Sequence, residues 1–167
     1  RGLVFKNHFT MTADRAWLAM QEVSGVEIFG GVALNHAVGG LNAEAVRQLV
    51  AFSGGRGKVV WLPTFDAEFW MTRAGDPGKF VPVMRDGRPE PALGEIFDLI
   101  AQHDLVLAMG HSSPEEVLAL IPEARRRGVR QILVTHGLGQ QPSTEQVAAM
   151  VEQDAITEEK LQFYIQM

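Results

Sequence analysis

Cysteine is absent from the 167 residues. That excludes disulfides and cysteine metal ligands, and fits a reducing compartment such as the cytoplasm. Basic residues are also few. Lys and Arg number 15 against 20 Asp and Glu, for a net charge of −5, the opposite of a nucleic-acid surface. No apolar run approaches the roughly 20 residues of a membrane span. Neither a GxGxxG turn nor a Walker lysine occurs, so no nucleotide fingerprint is present. Any metal site must be built from His, Asp, Glu or a modified Lys. The expected partner is a small molecule, with neither nucleic acid nor membrane; a homo-oligomer is compatible with this composition.

What is present is ordinary globular material, 46% hydrophobic and 21% charged, enough for one domain with a core. Apolar runs at Leu3–Asn7, Val26–Leu34, Lys58–Leu62, Leu105–Met109 and Gln131–Thr135 read as strands. Between them, Thr12–Val23, Asn42–Phe52, Ala92–Gln102, Ser113–Arg127 and Ser143–Glu152 have helical spacing. Ser113, Pro114 and Glu116 make a capping box with proline at the first position. Five alternations of strand and helix signal βαβ units and a parallel sheet. The expected fold is one α/β domain over 1–167, a (β/α) barrel of the TIM type, incomplete in this chain. The alternative is an open doubly wound sheet. Residues 63–91 are irregular, an insertion or lid with a small hairpin about RDG at 85–87. At 153–156 the alternation breaks, as if a strand were missing before the helix-like TEEKLQFYIQM. The chain also opens directly in a strand-like run, from which an upstream element is expected.

Three apolar runs end in histidine: LVFKNH, VLAMGH and ILVTH. In a sheet of right-handed βαβ units all strands point the same way, so their C-terminal ends share one face. His8, His111 and His136 are therefore expected together, at the face where α/β proteins place their sites. Imidazole suits that face as metal ligand or general base. His36 lies in the glycine-rich NHAVGGLN loop, and His103 precedes a strand at the opposite end. Lys6, in strand alternation with His8, is ion-paired, functional or carbamylated. Asp66 is the best-placed carboxylate, with a loop or helix cap as its other use; Glu68 is weaker. Asn35 heads a loop suited to helix capping or to anion binding at a helix start, and is a candidate substrate contact with His8.

The run of strand-His at 106–111, helix, and strand-His at 132–136 resembles the fifth and sixth strands of the amidohydrolase superfamily of metal-dependent (β/α)8 barrels. LVFKNHFTMTADRA, GGVALNHAVGGLN and MGHSSPEEV resemble an uncharacterised branch of it, and the similarity spans about residues 1–150. The resemblance implies that His111 and His136 bind a divalent metal, zinc first, with manganese or iron possible. It implies a hydrolase acting on a small amide, cyclic amide, ester or lactone. LVFKNH would be the second strand and KVVWLPTFDAE the fourth, with Asp66 and Lys6 as candidate catalytic groups and His8 touching substrate. Of the superfamily's other signatures, the first-strand HxH pair would precede Arg1, and the eighth-strand aspartate would follow Met167. Two rival readings are a non-catalytic α/β module for a small molecule or anion, and an inactive fragment of such a hydrolase.

Overall fold

The computed structural model describes residues 2–52, 54–75, 78–136, 143–153 and 155–157. Its strands are β1 (Gly2–Val4), β2 (Glu27–Ala33), β3 (Gly57–Trp61), the hairpin pair β4 (Met84–Arg85) and β5 (Arg88–Pro89), β6 (Val106–Ala108), β7 (Gln131–Val134) and β8 (Ile156–Thr157). Its helices are α1 (Ala13–Glu22), α2 (Ala43–Ala51), α3 (Glu68–Arg73), α4 (Ala92–Gln102), α5 (Pro114–Arg126) and α6 (Thr144–Glu152). Six strands form one curled parallel sheet in the order β1-β2-β3-β6-β7-β8.

That order never reverses. A doubly wound sheet reverses its order at a switch point and carries helices on both faces. Here the two faces differ. Val32, Leu34, Val60, Leu62, Leu107, Ile132 and Val134 share the main core with helix residues such as Val46, Leu49, Ile96, Phe97, Leu120 and Ile121. The alternate positions Ala33, Val59, Trp61 and Ala108, with Val106 and Leu133 against them, form a second cluster drawn from strands only. Helices thus cover one face of the sheet, and its winding is that of an arc of barrel.

The helix starts reflect local chemistry. Ser113 and Ser143 each close a capping box, with Glu116 and Gln146 returning the bond; such a cap contributes about 1 kcal/mol. Asn42 accepts from the Glu44 amide. Thr12 precedes α1 but does not cap it. Its hydroxyl donates to the Phe5 carbonyl at 2.7 Å and accepts from the Gly31 amide at 2.9 Å, tying the β1–α1 connection to β2. Gly31 is obligatory for space: a Cβ there would stand 2.2 Å from the Val59 carbonyl oxygen.

Three expectations change. β1 stops at Val4, so Lys6 and His8 lie in an irregular segment and strand alternation does not orient them. The 63–91 stretch contains α3 besides the expected hairpin. The interval at 153–156 is not strandless: β8 pairs in parallel with β7 through Leu133–Ile156 and Val134–Thr157. The helix read into 157–167 falls at 158–167 outside the described residues. No helix among those described is long and apolar enough to cross a membrane.

Candidate functional site

Sheet register builds the site. Ala33 pairs with Trp61, Trp61 with Ala108, and Ala108 with Leu133, a single row across four strands. Three residues beyond that row, each chain reaches His36, Thr64, His111 and His136 respectively. His111 and His136 follow neighbouring strands, and their ring centroids lie 5.3 Å apart at 45°. His8 arrives from the β1–α1 segment, with its ring 6.2 Å from that of His111. The three strand-end histidines converge, as the shared polarity of the strands requires.

The backbone leading to these rings is unusual. Gly110 has φ +62°, and a Cβ there would come within 2.3 Å of both the Leu62 and Pro63 carbonyl oxygens. Only glycine brings the β6 end this close to the β3 end, where the His111 amide donates to the Pro63 carbonyl at 2.9 Å. His136 itself has φ +53°, a left-handed conformation uncommon outside glycine and costing about 1 kcal/mol.

His111 is buried, 3% exposed, whereas His136 is exposed and His8 half-buried. Burial, then the positive charges of Lys6, His136 and His8, push His111 down to about 4, against a smaller opposing contact with the Thr64 backbone. Burial and the same Lys6 and His136 charges also lower His8. At neutral pH both rings are therefore uncharged, the form that binds metals. Lys6 Nζ lies over Trp61, 5.3 Å from the ring centroid. His111 Nδ1, Ser112 Oγ and Thr135 Oγ1 are buried without a hydrogen-bond partner among the described residues.

Asn35 is 1% exposed and wholly engaged by the protein. It donates to the His8 carbonyl at 2.8 Å and to Thr64 Oγ1 at 2.7 Å, and accepts from the amides of Thr64 and Asp66 at 2.8 and 3.4 Å. Its place is that of a brace behind the site. Asp66 Oδ2 accepts from the His36 amide at 2.7 Å. His36 bonds through Nε2 to the Lys79 carbonyl at 3.0 Å, outside the histidine cluster. His103 follows α4 and precedes β6, at the opposite end of the sheet.

An aromatic wall stands over the rings. Phe65 stacks on His8 at 3.9 Å and 15°, and Trp70 lies 4.8 Å from His111. Both come from the 63–91 segment and are more than 40% exposed. Phe69 instead lies under Arg73, and Phe80 lines a separate cavity of about 300 Å³ with His36 and Val81. Thr64 is the participant that sequence pattern undervalues. The available signal was its offset, the same three residues past Trp61 that His111 stands past Ala108.

Among the described residues no group of three or more His, Asp or Glu is arranged to hold a metal. The histidine pair is nonetheless spaced for one. Zinc–nitrogen bonds of about 2.0–2.1 Å at a tetrahedral angle, with the ring radius added, put two imidazole centroids about 5.2 Å apart. Residues 1–158 match a sequence family described as Family of unknown function (DUF6282). No curated protein and no solved structure matches the chain.

Proposed function

The chain belongs to the family of unknown function DUF6282, and we propose that it is a metal-dependent hydrolase of a small amide, cyclic amide, ester or lactone. One observation carries this reading: the ring centroids of His111 and His136, on adjacent strand ends, lie 5.3 Å apart, a spacing compatible with both imidazoles on one tetrahedral ion. The buried, unpartnered Nδ1 of His111 and its strong bias to the neutral ring fit a ligand role. By its resemblance to the amidohydrolase superfamily, the six-stranded arc corresponds to part of a (β/α)8 barrel.

His111 and His136 would hold zinc, manganese or iron. When bound, such an ion lowers the pKa of water and polarises the scissile carbonyl. The chain supplies the rest. Phe65 and Trp70 shield the His8 and His111 rings, which lowers the local dielectric and strengthens polar contacts with substrate. Lys6 puts positive charge where negative charge develops on the substrate oxygen. Asp66 keeps Oδ1 for proton transfer to the leaving group. His8 contacts the substrate, braced from behind by Asn35.

The test is metal content and zinc titration of the purified protein, with H111A and H136A in parallel, followed by hydrolysis of a panel of small amides, esters and lactones. Stoichiometric metal lost in both variants supports the proposal; unchanged metal binding in both ends it. A second reading has its own observation. The positive charges of Lys6 and His136 lower both His8 and His111, and no carboxylate contributes to either shift. Such a cluster suits an anion-binding module. Phosphate binding without metal uptake would favour it.

A further inference from the structure

We infer that Asn35 and Thr64 lock His8 into the neutral tautomer with its proton on Nε2, so that His8 meets a ligand as a hydrogen-bond donor to a carbonyl or carboxylate oxygen. The inference concerns the same site as the hydrolase reading but does not depend on an ion being bound there.

A count of protons fixes the tautomer. Asn35 Oδ1 receives the backbone amides of Thr64 and Asp66, which only donate. The amide orientation is thereby fixed, and the opposite arm is the NH2 group. Its two protons go to the His8 carbonyl and to Thr64 Oγ1. Thr64 Oγ1 already accepts one bond, and the residue is fully buried, so its own proton needs an acceptor. Among the described residues, the remaining polar atom in reach is His8 Nδ1, at 2.8 Å. The hydroxyl therefore donates and Nδ1 accepts. The opposite polarity would aim two donors at Thr64 Oγ1 and strand a buried hydroxyl proton.

A neutral imidazole whose Nδ1 lone pair is occupied carries its proton on Nε2. Nε2 has no partner among the described residues, while stacking on Phe65 holds the ring plane. In this state His8 offers a proton to an acceptor oxygen; it is neither a third metal ligand nor a base. Thr64 and Asn35 act through His8 as positioning residues.

The experiment is long-range 1H–15N NMR of the 15N-histidine-labelled full chain at pH 7.5, with His8 assigned from the spectrum of H8Q. The expected result is Nε2 in the protonated range and Nδ1 in the unprotonated, hydrogen-bonded range, at a tautomer ratio of at least about ten to one. T64V should remove the preference and T64S should restore it. A wild-type His8 protonated on Nδ1, or an even tautomer mixture, overturns the inference, and that spectrum decides even if T64V does not fold. Zinc alone is then added. Zinc that shifts His111 and His136 while His8 keeps its Nε2 proton supports both readings. Zinc displacing the Nε2 proton overturns this one. Zinc that shifts no histidine sinks the hydrolase reading and leaves the tautomer result standing.

Discussion

The imidazoles of His111 and His136 lie 5.3 Å apart at the ends of β6 and β7, although a whole helix separates them in the chain. The separation is dictated by strand pairing and a common offset from the Ala108–Leu133 pair. Removing either ring should weaken zinc binding by at least about 100-fold, more than the loss of an outer partner typically costs. H103A, at the far end of the sheet, should leave it unchanged. Calorimetric titration of the three variants checks both statements.

Acid should destabilise the metal-free protein through His111. Its folded value of about 4 lies below the ordinary 6.5. Between those values the unfolded chain binds the proton and the folded chain does not, so stability rises with pH across that window and is lost as pH falls through it. His8 is shifted in the same direction. The slope attributable to His111 is at most about 1.4 kcal/mol per pH unit. Urea unfolding at a series of pH values should show it, and H111Q should flatten it.

Gly110→Ala should cost about 2–4 kcal/mol, because the new methyl meets two carbonyl oxygens at 2.3 Å and the backbone has positive φ. The loss should appear in the urea midpoint and be accompanied by weakened zinc binding, since the residue sets the position of His111.

Asn35→Ala should destabilise the fold by about 2–4 kcal/mol. It strands the buried Thr64 amide, removes one of the two partners of the Thr64 hydroxyl and frees the segment bearing His8. Thermal unfolding measures the first effect. The second should appear as increased mobility of His8 by NMR relaxation, with the His111–His136 pair unaffected.

Sequence pattern disclosed the alternating elements, the caps at Asn42, Ser113 and Ser143 and the convergence of the three histidines, because these depend on local periodicity and on strand polarity; Thr12, which reads equally well as a cap, instead ties the β1–α1 connection to β2. It disclosed less where tertiary contacts dominate. Lys6 reads as a strand residue with His8 just past the strand's end, yet β1 ends at Val4, and Thr12 and Asn35 help to secure the segment beyond it. β8 escaped notice because two residues are too few to show alternation. Asp66 stood correctly after β3, but its orientation toward the His36 amide depends on a loop distant in sequence. Asn35 combines both situations: its position was visible, while its role as a brace required knowing which four groups surround it.

The left-handed backbone at His136 separates the demands of folding from those of chemistry. H136G would relax that conformation, a relief of about 1 kcal/mol, while removing a candidate ligand and its ring contact with His111. A histidine held in a costly backbone conformation beside the proposed metal pair marks a place where the demands of chemistry and of stability pull apart.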